Sequence, residues 1–179
     1  MAVSVAVTRT NLYTQVFLNV YNLLNDRSNV VDPLPRSQGR LRKFVYAREP
    51  SVDARGFDGY PLVVVNQPTI EVATRRLGDD KNAEVTGEMM IEVRSTTAFF
   101  RQGTSEDPHG KGLTFLNEIS DDIMATLNSV ANRNSLRANN IGFVKVESGS
   151  MDVFSVEAET VYVREMRLTF MTALLAVSS

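Results

Sequence analysis

Between Val85 and Thr96 the chain alternates: Met89, Ile91 and Val93 point one way, while Glu88, Glu92 and Arg94 point the other. A side-chain period of two belongs to a strand with one buried and one wet face. That pattern argues against an all-helical bundle, and against a doubly wound parallel core, whose strands are apolar on both faces. The preceding segment, Thr69–Leu77, sets Ile70 and Val72 against Glu71 and Ala73, and the polar run Gly78-Asp79-Asp80-Lys81-Asn82 separates the two segments. Together they predict an antiparallel hairpin. Just upstream, Pro61-Leu-Val-Val-Val65 is a short all-apolar run, the mark of a strand buried on both faces.

Two segments switch to the helical period. Leu12, Val16, Val20 and Leu23, widened by Phe17 and Leu24, predict a helix over Thr10–Asn25, with Thr8 or Thr10 as N-cap. Gln15, Asn19, Asn22 and Asp26 form its wet side. Leu116, Ile119, Ile123, Leu127 and Val130 predict a second helix over Leu113–Ala131, ended by Asn134–Asn140, with Asn117, Asp121, Asp122, Asn128 and Asn132 facing away. A second hairpin closes the chain. Phe143–Glu147 reads as a strand, Ser148-Gly149-Ser150 as a turn and Asp152–Phe154 as a short strand or bulge. Thr160–Leu174 is the longest strand, with Met166, Leu168 and Phe170 opposed to Glu165, Arg167 and Thr169. The order helix, two strands, helix, two strands predicts an α/β fold of the α+β type: a single domain, with two main helices packed on a mainly antiparallel sheet. Met89, Ile91, Val93, Leu116, Ile119, Ile123 and Leu127 are the expected core.

Residues 1–179 are of one-domain length, at 19.9 kDa. With 0 Cys and 1 His, disulfide scaffolds, thiol nucleophiles, Cys-ligated metals and multi-histidine metal sites are excluded. The net charge of -2 argues against a nucleic-acid coat or a polybasic membrane binder. The start MAVSVAVTRTN has no basic n-region followed by an apolar core, and no apolar run approaches the roughly 18 residues of a membrane span. The expectation is a soluble protein made in a reducing cytoplasm.

No catalytic constellation emerges. Gly103–Gly112 carries six residues before its Gly-Lys where a phosphate loop has four, lacks the hydroxyl after the lysine, and holds Glu106 and Asp107. Phe99–Lys111 therefore reads as a surface loop, and His109 within it as a solvated histidine without a positioned nucleophile. Asp121 and Asp122 diverge by about 100° on a helix. Asp79 and Asp80 lack calcium-loop spacing. Glu157 and Glu159 share a strand face, as a carboxylate pair or a solvated edge. No cofactor is expected.

The stretch Arg27–Gly59 is punctuated by Pro33, Pro35, Gly39, Pro50, Gly56 and Gly59, with room for a short strand at Leu41–Tyr46. Loops this long are uncommon in compact domains. Arg36, Arg40, Arg42, Lys43 and Arg48 concentrate positive charge there. They form either an interaction arm docking on an acidic neighbour or a solvated loop. Val30, Val31, Leu34, Leu41, Phe44, Val45 and Tyr46 give the stretch apolar material that needs a surface to lie on.

Gly59-Tyr-Pro-Leu-Val-Val-Val65, the strand Met89–Thr97, the helical Glu118-Ile-Ser-Asp-Asp-Ile-Met124 and the long closing strand, in this order, resemble the tail terminator proteins of tailed bacteriophages, the minor tail protein U-like family. The resemblance covers essentially the whole chain, as pattern rather than strict motif. The loop at 27–59 is longer than in the smallest members. The resemblance implies a virion protein without enzymatic activity or cofactor, made in the host cytoplasm. It would form a homohexameric ring that caps the head-proximal end of the tail tube and stops its polymerisation. The implied partners are the chain itself, the tail tube protein, a neck or head-completion protein, and genome DNA passing through the lumen without sequence-specific binding; no membrane is implied. The expected interaction residues are Arg36, Arg40, Arg42, Lys43, Phe44, Tyr46 and Arg48. Another neck, head-closure or tail tube protein is the alternative, and an enzyme with an unrecognised site or a monomeric binding module are the rivals outside that class.

Overall fold

The centre of the fold is a pair of long antiparallel strands, β6 (Ala83–Thr96) and β8 (Glu159–Leu174), in register from Ala83 opposite Leu174 to Thr96 opposite Val161. The computed structural model describes residues 11–34, 36–37, 40–50, 57–71, 83–97, 108–156 and 159–174. The register puts Met89, Ile91 and Val93 beside Leu168, Met166 and Arg164, so the two alternating patterns share one face. Every expected core residue is buried: Met89, Ile91 and Val93 on the sheet, Leu116, Ile119, Ile123 and Leu127 on the helix over it.

Around this pair the sheet runs β3 (Val45–Tyr46), β4 (Leu62–Val65), β6, β8, β7 (Ile141–Val156), and β5 (Thr69–Glu71) pairs with β6 beyond β4. All pairings are antiparallel except β3 with β4, so the fold is a single α+β domain with a mainly antiparallel sheet. β4 is buried at all four residues because both its faces are covered. Val63 and Val65 join the main core, while Leu62 and Val64 join a small cluster with Tyr46, Phe57 and Tyr60. The expected pairing of Thr69–Leu77 with Val85–Thr96 is present from Thr69 opposite Glu88 to Glu71 opposite Thr86; Val72, Ala73 and the turn at 78–82 lie outside the described residues. The expected strand Leu41–Tyr46 is two pieces. Arg40–Leu41 is β2, paired antiparallel with β1 (Arg36–Ser37), and Val45–Tyr46 is β3.

Three helices occur among the described residues: α1 (Leu12–Asn25), α2 (Pro108–Asn128) and α3 (Val130–Ala138). α1 occupies its expected place, with Asn11 at its N-cap; the candidates Thr8 and Thr10 lie outside the described residues. α2 begins earlier than its apolar stripe predicts, taking in Pro108–Lys111, which had read as loop. Pro108 suits a first helical position, where its missing N–H leaves no hydrogen bond unmade. Gly112 belongs inside the helix because a Cβ there would come within 3.1 Å of the Thr96 carbonyl oxygen and of the Tyr162 ring.

The single helix expected to Ala131 is two. Ser129, at ψ 133, breaks it, and Val130, expected in the buried stripe, is 75% exposed at the start of α3. Asn140 ends α3 in a left-handed conformation, φ 64, which asparagine tolerates. The expected turn at Ser148-Gly149-Ser150 is a bulge within one continuous strand, β7. A Cβ on Gly149 would lie 2.9 Å from the Glu165 carbonyl oxygen, so the bulge needs glycine.

Candidate functional site

The basic stretch between α1 and β4 is fastened to its own subunit. Arg42 is buried, and its guanidinium donates to both oxygens of the buried Asp32 carboxylate, at 2.7 Å from Nη2 to Oδ1 and 2.9 Å from Nε to Oδ2. The remaining donors reach the carbonyls of Gly59 and Tyr60, each at 3.1 Å, and of Pro61. The planar fork thus joins the end of α1's following turn to the entry of β4, and it sits over the Phe44 ring at 5.4 Å. Arg27 donates to the Arg42 carbonyl, and the Asp58 carboxylate accepts the Lys43 N–H at 2.7 Å. The Tyr21 hydroxyl donates to the Val45 carbonyl at 3.2 Å. On the helix side, the Thr126 hydroxyl donates to the Asn29 carbonyl at 2.8 Å, and Asp122 accepts the Val31 N–H at 3.0 Å.

The candidate interaction residues therefore divide. Arg42, Phe44 and Tyr46 are buried within the subunit and hold the stretch down; Lys43 and Arg48 are exposed. Arg36 and Arg40 belong to β1 and β2, and their side chains lie outside the described residues. Of the apolar residues that needed a surface, Val30, Phe44, Val45 and Tyr46 find it in their own core, whereas Val31 and Leu41 stay exposed. Sequence reasoning read Arg42 as one of a run of surface cations. The signal it missed is Asp32, ten residues upstream, which makes Arg42 a buried pair.

A second surface was missed altogether. From Glu147 to Ser155 every residue of β7 is exposed, on both faces of the strand, including Met151 at 42%, Val153 at 54% and Phe154 at 52%. β7 is the edge of the sheet, and among the described residues nothing pairs with its outer side. Its partner β8 keeps Val161, Tyr162 and Val163 buried over the same stretch, so the exposure belongs to the edge strand. The strand edge thus buries little against its own chain and carries three large exposed apolar side chains. The face away from the helices carries charge: Arg94 bridges Glu49 and Glu92, Arg167 lies 3.7 Å from Glu88, and Lys145 pairs with Glu147. That last contact, a hydrogen bond reinforced by the lysine's charge, holds the Glu147 carboxyl below its ordinary range. Shallow depressions on this face are lined by Thr69, Glu71, Thr86 and Glu88, and by Met90, Glu147, Glu165 and Arg167.

Among the described residues no three His, Cys, Asp or Glu side chains gather where a metal would bind. Ser95 is buried with its hydroxyl unpartnered among the described residues, so no base is in place to activate it. Asp121 is exposed and Asp122 is engaged with Val31. The backbone of His109 belongs to the first turn of α2, its side chain lying outside the described residues, as do Asp79, Asp80 and Glu157. No described helix is long and apolar enough to cross a membrane. No family model matches the chain, and no curated protein matches its sequence.

Proposed function

We propose that this chain is a structural virion protein, a tail terminator: a closed homomeric ring, most simply a hexamer, that caps the head-proximal end of a phage tail tube and joins it to the neck. The observation that carries the reading is the exposed half of β7, a nine-residue stretch with Met151, Val153 and Phe154 uncovered, on a fold whose other long elements are buried on at least one side. Such an edge serves assembly rather than catalysis. In this reading β7 is the element presented along the ring axis to the tube or neck protein. Ring closure is heterologous and falls to the surface between α1 and β4, where Val31, Leu41, Lys43 and Arg48 are exposed. The basic pair steers that surface onto the net-acidic remainder of the next subunit. DNA passes through the lumen without base-specific contacts.

Mass photometry of the purified chain tests the ring: a species near six times 19.9 kDa is expected. Charge reversal at Lys43 and Arg48 should shift it toward smaller species without changing the melting temperature. Open-ended polymers would point instead to a tube protein, and a monomer both free and on virions would remove the ring.

A further inference from the structure

The two outer edges of the sheet are unlike. On the β3 side the backbone is closed off by side chains: Tyr21 caps the Val45 carbonyl, Arg27 the Arg42 carbonyl and Asp58 the Lys43 N–H. β5 offers three residues. β7 offers sixteen, with no strand beside them among the described residues. A row of free N–H and C=O groups is a template for another strand, and on a second copy of this chain the matching long edge is β7 itself.

We propose that two copies of the free protein join antiparallel through β7, about a two-fold axis passing between Ser148 and Gly149. In that register Val144 of one copy lies opposite Val153 of the other, Val146 opposite Met151, Lys145 opposite Asp152 and Glu147 opposite Ser150. The bulge makes this self-match possible. Val144, Val146 and Ser148 pair with Phe170, Leu168 and Met166 of β8, and Met151 and Val153 pair with Arg164 and Tyr162, all on the helix-bearing face. On a regular strand even- and odd-numbered residues point to opposite faces. The extra residue at Gly149–Ser150 flips the parity, so Met151 and Val153 share a face with Val144 and Val146. Lys145 and Asp152 meet on the other face, where both are exposed. The two-fold repeats each pair, giving two apolar matches and one opposite-charge match on each side of the axis, and only the small residues Ser148 and Gly149 meet at the centre. Met151 and Val153 thereby gain apolar neighbours across the new ladder.

The contact reverses the direction of the second copy, so it is separate from ring closure and does not rest on it. It joins two subunits, or two rings face to face, and covers β7 until another partner takes that edge.

The absence of cysteine supplies a clean test. In the variant K145C/D152C the two positions lie about 20 Å apart along one strand, too far for a disulfide within a subunit. Across the two-fold they are neighbours. An intermolecular disulfide that requires both cysteines, and forms with neither single variant, is the expected result. Asp152→Lys sets lysine opposite Lys145 twice per dimer and should weaken dimerisation by about tenfold. Lys145→Asp added to it, with Glu147→Gln to remove the carboxylate that Lys145 otherwise pairs with, should restore the affinity relative to Asp152→Lys, because the cross-strand pair is then exchanged. Both positions are exposed, so unchanged melting temperatures keep the readout on association. Rings without the double-cysteine cross-link would overturn this contact and leave the ring reading standing. A strictly monomeric protein would overturn both. Loss of dimer in Asp152→Lys without rescue by the swap would overturn the register.

Discussion

Arg42 and Asp32 hold the stretch between α1 and β4 as one fully satisfied group. Removing either side chain leaves the other charge buried and unpaired, a situation that costs several kcal/mol where a pair is broken. Arg42→Ala should therefore lower stability by about 3–5 kcal/mol in urea unfolding. The double variant Arg42→Ala/Asp32→Ala should lose less than the sum of the singles, since it strands neither charge. Arg42 does not belong among the residues whose charge reversal probes docking, because its reversal would unfold what it is meant to test. Gly87 makes a second residue-level prediction. A Cβ there would lie 2.5 Å from the tip of the Phe170 ring and 2.8 Å from the Thr69 carbonyl oxygen, and Phe170 is fully buried. Gly87→Ala should cost about 1–3 kcal/mol by overpacking, seen as a lower denaturation midpoint with the slope unchanged.

At the scale of elements, the helix break at Ser129 cuts the expected apolar stripe, which holds through Leu127 and fails at Val130. Ile123 is fully buried on α2, and Val130, one turn past its expected neighbours, is largely exposed on α3. Ile123→Ala should destabilise by about 2–5 kcal/mol, while Val130→Ala should change stability by less than about 0.5 kcal/mol. Equal effects at the two positions would mean that α2 continues unbroken. The contrast shows what the residues could announce. β6 and β8 were legible over Glu88–Arg94 and Glu165–Phe170, where one face is wetter than the other, so their polar residues mark the register as clearly as their apolar ones. β4 was legible because all its residues are apolar. α3 has one buried residue, Leu136, and so leaves no stripe to read. The first turn of α2 was hidden by Pro108, Gly110 and Gly112, which signal a loop locally but here serve the helix start and its close approach to Tyr162. Ser148-Gly149-Ser150 has the composition of a turn, and only the pairing with β8 reveals a bulge. The exposed edge on β7 was invisible for a related reason. Exposure of Met151, Val153 and Phe154, which occupy both faces of the strand, goes with β7 being the edge of the sheet, and no local pattern encodes which strand ends the sheet.

The whole molecule is a fold fastened internally at one sheet edge, with an open strand at the other among the described residues. In the proposed ring, the exposed Lys43, whose ammonium lies over the Tyr46 ring, and Arg48 serve the head-to-tail contacts, and the open strand serves the contacts along the axis. In the proposed function the chain ends tube growth as a ring. Electron microscopy of tail tubes assembled from the cognate tube protein, with and without this chain, tests it most directly. The expected result is tubes of limited length bearing one six-fold ring at a single end, and loss of that ring when Met151, Val153 and Phe154 are together changed to Ser. Tubes that grow on unchanged, with no density from this chain at either end, would contradict it.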